Sequence, residues 1–90
     1  MLELHQGSQF AADVRRMIRR GADRRELADV IEYLREYVEL PPAYDAHVLE
    51  GEWGGFAECH INDDWLLIYK VDSDKSRLTV VRTGTHADLF

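Results

Sequence analysis

Apolar residues in the first half of the chain recur every three to four positions, which is the spacing of amphipathic helices. A first stripe consists of Phe10, Val14, Met17 and Ile18. Ser8 is predicted to be its N-cap and Gly21 its stop, because glycine accepts the left-handed conformation without a Cβ clash. A second stripe consists of Leu27, Val30, Ile31, Leu34 and Val38. Asp23 and Glu26 predict a capping box at its start, and Pro41-Pro42 is expected to end it.

The second half of the chain changes to the pattern of strands. Three strands are predicted after an irregular stretch over 43–55, and they cover 56–61, 65–71 and 78–82. Residues 1–5 alternate weakly and predict one more strand. The short link between the helices favours an antiparallel hairpin. This order predicts an α+β fold, β-α-α-β-β-β, with the helical hairpin packed on one face of an antiparallel sheet, and one domain over residues 1–90.

Length and composition fit a globular domain and exclude several other classes of protein. The chain has 90 residues, of which 46% are hydrophobic and 31% are charged, and this is not the composition of a disordered protein. No apolar run approaches the roughly 18 residues that span a bilayer, and the first residues lack the regions of a signal peptide. Cys59 is the single cysteine, so no internal disulfide can form. We therefore expect a cytoplasmic protein with no membrane partner.

The formal net charge of -6 hides an uneven distribution of charge. Seven of the eleven Lys and Arg residues lie between Arg15 and Arg35, whereas residues 36–69 contain none. Charge runs of this kind usually form solvated helix faces. The division also allows a local basic surface on a protein that is acidic as a whole.

Residues suited to acid–base chemistry are concentrated in the second half of the chain. They are His47, His60, Asp64 and His86, together with Arg82. An imidazole gains and loses protons near neutral pH, and a guanidinium can stabilise charge that develops on phosphate oxygens. Each has a structural alternative, because single histidines on strands are more often packed or hydrogen-bonded and Arg82 could pair with one of the acids of the loop. Trp53 and Trp65 could likewise be core residues.

Metal and cysteine chemistry receive little support from the spacing of the residues. His60 and Asp64 lie four positions apart on a strand and turn, and the chain has neither a helical HxxxH nor a CxxC pair, so the zinc signal is weak. Cys59 and His60 are adjacent on a predicted strand and therefore point to opposite faces. Composition and spacing alone indicate a small α+β domain with a histidine-rich half.

Three motifs, in order along the chain, carry a resemblance to a known family. They are H-x-L-x-G-x-W from His47, H-x-x-x-D-W-L-L-I-Y from His60, and R-T-G-T-H-x-x-L-F from Arg82. This ordered set resembles the RelE/ParE superfamily and, within it, the YafQ-type toxins of bacterial type II toxin–antitoxin systems. The resemblance implies a RelE-like fold and a ribosome-dependent mRNA endonuclease (an mRNA interferase) that a cognate antitoxin holds inactive.

The resemblance also implies roles for individual residues. The expected catalytic residues are His47, His60, Asp64 and His86. The expected substrate-binding residues are Arg82, Trp65, Phe90 and Lys70. Because such enzymes use the ribose 2′-hydroxyl as nucleophile, the protein must only remove its proton, protonate the leaving 5′-oxygen and stabilise the phosphorane. No metal or other cofactor is then expected. We favour His86 as the general acid, with Asp64 and His60 on the base side.

The partners implied are a protein antitoxin and the ribosome with its translated mRNA, and operator DNA is expected only through the antitoxin. An acidic antitoxin segment is expected on the arginines of residues 15–25. The stretch 36–69 departs from the basic character usual in RelE-like ribonucleases, so either the ribosome compensates for weak RNA affinity or activity is weak or lost. The alternative function is a non-catalytic protein on the same scaffold, either a degenerate toxin that binds its antitoxin or a ParE-like gyrase inhibitor.

Overall fold

The computed structural model describes residues 1–90, which form one sheet and three α-helices. The strands are β1 (Glu3–Gln6), β2 (His47–Val48), β3 (Ala57–Asn62), β4 (Trp65–Asp72) and β5 (Arg77–Gly84). The helices are α1 (Phe10–Arg19), α2 (Arg24–Tyr37) and α3 (His86–Leu89). None of these helices has both the length and the apolar character needed to cross a bilayer.

The five strands lie in the order β1-β5-β4-β3-β2. The pairs β2–β3, β3–β4 and β4–β5 are antiparallel, whereas β1 joins β5 in parallel, with Leu4 opposite Leu78. The predicted α+β fold with a helical hairpin on an antiparallel sheet is confirmed, and the parallel edge pair is an addition to it. The sequence pattern did not indicate this pair because apolar spacing carries no information on strand direction.

The helical hairpin and one face of the sheet enclose a single apolar core. Residues of α1, α2, β3, β4 and β5 contribute to it, together with Leu2, which precedes β1. The 14 core residues are Leu2, Phe10, Met17, Leu27, Val30, Ile31, Leu34, Cys59, Ile61, Trp65, Leu67, Tyr69, Leu78 and Val80. The predicted burial of the α2 stripe is therefore confirmed, except at its last position. Val38 is 43% exposed and lies beyond the helix.

Only the N-terminal end of α1 differs from the sequence prediction. The N-cap is Gln9 rather than Ser8, and no side chain caps the first turn. Ser8 lies one position too early, in the turn that follows β1. Gly21 has a φ of 97°, in the left-handed region that the predicted stop requires.

The ends of α2 show one confirmed cap and two corrections. The Asp23 side chain accepts a hydrogen bond from the backbone N–H of Arg25, as predicted for an N-cap. Glu26 does not close a capping box, because its carboxylate accepts instead from the Asn62 side chain on β3. The helix ends at Tyr37, before the prolines, since Val38 adopts a φ of 68° and breaks the helical run.

Two segments outside the predicted helices and strands carry regular structure. Residues 43–55 contain β2 and a short 3-10 turn over Gly51–Trp53, and a second such turn covers Pro42–Tyr44. The tail forms α3, which a capping box between Thr85 and Asp88 begins. A strand of two residues and a helix of a single turn are too short for a hydrophobic period to reveal them.

A β-bulge in β5 decides which face of the sheet receives Arg82. Val80 pairs with Tyr69 on the core face, but Arg82 pairs with Ile68 because the register shifts between them. Without the bulge, residues two positions apart would share one face and Arg82 would point into the core. The bulge therefore keeps Arg82 out of the core and places it in the same cross-strand row as Ile68.

Candidate active site

The sheet face opposite the helical hairpin brings the predicted residues together in two cross-strand rows. One row runs His47–Glu58–Ile68–Arg82 and the other runs His60–Leu66–Gly84. Leu66 and Ile68 are completely buried, so the floor between the polar side chains is apolar. Thr85 follows Gly84 as the N-cap of α3, and His86, the first residue of that helix, therefore lies close to the end of the second row.

Glu58 lies between two of the histidines. Its Oε1 atom is 3.8 Å from Nε2 of His47 and 3.7 Å from Nε2 of His60. The Glu58 side chain is only 5% exposed, whereas the two imidazoles are 48% and 29% exposed. A buried carboxylate therefore faces two partly accessible imidazoles.

The tautomer of His47 follows from its second contact. Its Nδ1 atom is 2.9 Å from the backbone oxygen of Asp45. A carbonyl oxygen can only accept a hydrogen bond, so Nδ1 carries the proton and donates it. The nitrogen that can exchange a proton is then Nε2, which is the one that faces Glu58.

His86 completes the histidine cluster from the first position of α3. Its ring centroid is 6.0 Å from that of His60, with the rings at 79°, and it is also 6.0 Å from the ring of Phe90. His86 is exposed and Phe90 is 62% exposed. Both side chains are therefore open to a ligand above the sheet.

Arg82 is held by a carboxylate of α1. Its Nε donates to Asp13 Oδ2 at 2.6 Å and its Nη2 donates to Asp13 Oδ1 at 3.1 Å. This pairing raises the pKa of Arg82, so the guanidinium stays charged. Asp13 is 1% exposed and also accepts from the backbone N–H of Thr83 at 3.2 Å and from Arg16 Nη2 at 3.1 Å. Arg82 therefore pairs with an acid, but that acid is Asp13 of α1 and not one of the acids of the loop that the alternative named.

Three predicted site residues lie outside this cluster. Asp64 is exposed in the β3–β4 turn, and its carboxylate makes no hydrogen bond or ion pair. Lys70 is exposed and its Nζ lies 5.6 Å from the centre of the Phe56 ring. Trp65 is 1% exposed, and its indole N–H donates to the buried hydroxyl of Thr83 at 2.8 Å. Contact between Trp65 and a substrate does not fit this position, because the ring belongs to the core beneath the site.

Cys59 takes no part in the cluster, as the alternation of strand side chains predicted. It is completely buried on the core face. Burial, together with the nearby charge of Glu58, raises the pKa of its thiol to about 12. A thiol in this state is a poor nucleophile.

Sequence reasoning missed Asp13 and Glu58. Asp13 lies three positions after Phe10 and four before Met17, so it borders the apolar stripe of α1, and its position beside that stripe was the one signal of its burial. Glu58 gave one usable signal, since it lies two positions before His60 and therefore shares its face of the predicted strand. An acid and a histidine two positions apart on a strand lie side by side, so their positions alone predict a possible acid–base pair.

The side chains of the structure do not form a metal site. No three His, Cys, Asp or Glu residues lie where they could hold one ion together. The donors that come nearest are Glu58 and its two flanking imidazoles, each 3.7–3.8 Å from the carboxylate oxygen.

Comparison with known proteins gives one consistent family. A family model described as "Bacterial toxin of type II toxin-antitoxin system, YafQ" matches residues 2–90. The mRNA interferase toxin YafQ of Escherichia coli K12 is 37% identical over 89 residues, which are 98% of this chain and 95% of that protein.

Two solved structures share the fold over the whole chain. A chain of the E. coli DinJ-YafQ complex has a TM-score of 0.89 and 36% identity, covering 100% of this chain and 99% of that one. A metal-bound toxin from Helicobacter pylori has a TM-score of 0.91 and 33% identity, covering 100% of both. The chain therefore belongs to the YafQ family of bacterial toxins of type II toxin–antitoxin systems.

Proposed function

We propose that this protein is a ribosome-dependent mRNA endonuclease that cleaves translated mRNA by metal-independent acid–base catalysis. The observation that carries the proposal is the convergence of His47, His60 and His86 with the buried Glu58 at one end of the open sheet face. A non-catalytic binding module has no need of three clustered imidazoles, two of which face one buried carboxylate. The E. coli relative described as an mRNA interferase supports the same activity.

The reaction needs two proton transfers and no nucleophile from the protein. The ribose 2′-oxygen forms a bond to the phosphorus of its own 3′-phosphate as a base removes the hydroxyl proton. The bond from phosphorus to the 5′-oxygen of the next nucleotide breaks, and an acid protonates that oxygen. The products are a 2′,3′-cyclic phosphate and a 5′-hydroxyl, so atoms and charge balance without a cofactor.

His86 and His60 are the pair that can divide these two transfers. Their rings are 6.0 Å apart, close enough for both to reach one phosphodiester group. His86 is the proposed acid, because it is exposed beside the terminal Phe90. His60 is the proposed base, and Glu58 stabilises the imidazolium that forms when it takes the proton. Asp64 lies in the exposed β3–β4 turn with its carboxylate unpaired, and we propose that it contacts the substrate from there.

Arg82 is proposed to stabilise the phosphorane with the part of its guanidinium that Asp13 leaves free. Two of its nitrogens are bonded to Asp13, and Nη1 remains available. A guanidinium fixed in this way loses little rotational freedom when it binds a phosphate oxygen. Phe90 offers an exposed ring on which a base can stack, and Lys70 adds a charge on the same strand face as Ile68.

An apolar groove beside His47 is proposed to receive a nucleobase. It has a volume of about 330 Å³ and lies between the end of α2 and β2, where Leu40, Val48 and Tyr69 line it. Val48, Ala57 and Tyr69 form the neighbouring cross-strand row on the hairpin side of the sheet, and His47 also lines the groove, so a base bound here would reach the site around the β2 edge. A groove of this character favours stacking and apolar contact over charge.

The ribosome is proposed to supply the RNA affinity that the site itself lacks. Residues 36–69 contain no Lys or Arg, and phosphate neutralisation provides most non-specific affinity for RNA. Arg15 and Arg24 are exposed on the helices and can contact ribosomal RNA. Free RNA should therefore be a poor substrate compared with mRNA on a translating ribosome.

The decisive experiment is induced expression in bacteria with mapping of the new RNA 5′ ends. We expect cleavage within translated messages, no cleavage of the same message when its start codon is removed, and 5′-hydroxyl ends. His86→Ala is the matched inactive control. Growth arrest with intact mRNA and damaged DNA would overturn the proposal in favour of gyrase inhibition, and toxicity without either lesion would reject both.

Metal independence has its own test, which the metal-bound relative from H. pylori makes necessary. The cleavage rate of purified protein on programmed ribosomes should be unchanged after the toxin alone is dialysed against EDTA and returned to ribosome buffer. Elemental analysis of the dialysed toxin confirms that no transition metal remains. A rate that falls after dialysis and recovers with zinc or copper, but not with extra magnesium, would contradict the mechanism.

A further inference from the structure

A continuous series of ion pairs runs from Arg82 to the C-terminal helix through α1. Asp13 binds Arg82 and also accepts from Arg16 Nη2 at 3.1 Å. Arg16 Nε lies 3.8 Å from Asp88 Oδ1. Asp88 accepts a two-pronged pair from Arg20, at 2.7 and 3.1 Å. We call this series, Arg82–Asp13–Arg16–Asp88–Arg20, the α1 ion-pair series.

Asp88 connects the series to the helix that carries His86. Its Oδ2 accepts the backbone N–H of Thr85 at 2.9 Å, and its own backbone N–H donates to the Thr85 hydroxyl at 3.2 Å. The α3 helix has four residues, and a single turn is not stable by itself in water. Contacts from the rest of the molecule must therefore hold it. Arg20 provides the strongest of these, because a bidentate guanidinium–carboxylate pair fixes both distance and orientation.

The packing around Gly84 shows how closely the series fits the end of β5. A Cβ atom at Gly84 would lie 2.9 Å from Asp88 Oδ2 and 3.3 Å from Arg16 Nη2. There is no room for a side chain here, so Asp88 and Arg16 rest directly against the strand backbone. The close contacts of Asp88 and Arg16 with the backbone at Gly84 therefore help to set the position of α3 relative to the sheet.

We propose that Arg20 and Asp88 are positioning residues that hold α3 so that His86 faces His60. Neither of the two contacts the substrate. Arg20 lies on the α1 side, 66 positions before His86 in the chain, yet the ion pair makes it part of the support of the site. The proposal rests on the proposed function for its consequence in catalysis, but the geometric part can be measured without it.

Arg20→Ala and Arg19→Ala form a matched pair of variants for the test. Both remove one positive charge from the end of α1, and both side chains are exposed, but the Arg19 side chain makes no hydrogen bond or ion pair. We expect kcat on programmed ribosomes to fall on the order of 10- to 100-fold for Arg20→Ala relative to Arg19→Ala, because small misplacement of a catalytic group is costly. KM should change equally in both variants, since it reports the shared loss of charge. Arg20→Lys, which keeps one bond and the charge, should recover part of kcat.

Imidazole NMR signals provide a readout that does not depend on activity. Arg20→Ala should shift and broaden the signals of His86 and leave those of His5, which lies on β1, at their wild-type positions. Gly84→Ala should have the same effect by displacing Asp88, and it tests the proposal even if Arg20→Ala fails to fold.

The outcomes separate the two proposals. Unchanged His86 signals in both Arg20→Ala and Gly84→Ala, or a kcat for Arg20→Ala equal to that of Arg19→Ala, would overturn the positioning role. If the wild-type protein cleaves no mRNA while Arg20→Ala still displaces His86, the positioning role stands and the proposed function fails.

Discussion

At the scale of single residues, two buried carboxylates have opposite surroundings. Asp13 receives four N–H groups, from Arg82, Arg16 and the Thr83 backbone, so its charge is fully compensated. Glu58 is 4% exposed, and its carboxylate has two imidazoles at 3.7–3.8 Å but no hydrogen bond. The four hydrogen bonds hold the Asp13 carboxylate in one position. The Glu58 carboxylate accepts no hydrogen bond, and its partners within ion-pair distance are the two imidazoles, which are groups suited to proton transfer.

His86→Ala should remove the proton donor with little effect on folding. The side chain is exposed on a one-turn helix, so it contributes little to the core. General acid–base contributions are typically about 10²- to 10⁴-fold in rate, and we expect a loss of that size in mRNA cleavage. Thermal unfolding and antitoxin binding should stay near wild type. Full toxicity with normal cleavage would show that His86 is not the acid, and a collapse of thermal stability would show that its role is structural.

Glu58→Gln and Asp64→Asn compare the buried acid beside two histidines with the exposed acid of the β3–β4 turn. Both substitutions remove a charge and keep the shape. We expect Glu58→Gln to lower cleavage by about 10²-fold or more, because Glu58 supports the imidazolium of His60. Asp64→Asn should cost less, because its carboxylate contacts neither histidine. Single-turnover rates on ribosome-bound mRNA would measure both. A larger loss for Asp64→Asn would return Asp64 to the base side that the sequence favoured.

At the scale of secondary-structure elements, the site depends on a sheet that is held by the helical hairpin on its other face. Leu34 is completely buried within the core. Leu34→Ala should lower the free energy of unfolding by about 2–5 kcal/mol, from lost apolar burial and the cavity it leaves. Val48→Ala removes apolar carbon from a side chain that is 78% exposed, and it should cost far less. Urea unfolding of both variants checks the difference, and equal effects would contradict the packing.

Apolar periodicity could predict the helices and strands that are long enough to repeat the apolar pattern. Both helices of the hairpin, β1 and the strands β3, β4 and β5 follow from apolar spacing, and so does the burial of the α2 stripe. The elements that shape the site do not, because β2 and α3 are too short and the bulge before Arg82 is a matter of pairing register. His47, His60 and His86 could be predicted as a group from residue type and resemblance. Glu58 and Asp13 could not, since their roles come from the strand and helix that lie beside them.

At the scale of the whole molecule, charge separates a basic helical side from an acidic second half. Arg15, Arg19 and Arg24 surround a groove between α1 and α2 of about 480 Å³, and Val14 and Ile18 give it an apolar floor. The E. coli relative has been solved in complex with DinJ. For this chain we propose that the cognate antitoxin places an acidic, partly apolar segment in this groove and orders as it binds.

Charge reversal in the groove should weaken the antitoxin complex mainly through the association rate. Arg15→Glu with Arg19→Glu should lower the association rate by about tenfold or more at low salt, because steering depends on complementary charge. Arg20 is left unchanged, since its pair with Asp88 holds α3 and its loss would mix two effects. Lys75→Glu, in the exposed β4–β5 turn, is the control for net charge. Surface plasmon resonance with purified antitoxin at several salt concentrations measures the rates, and a double variant that binds like the Lys75 control would place the antitoxin on another surface.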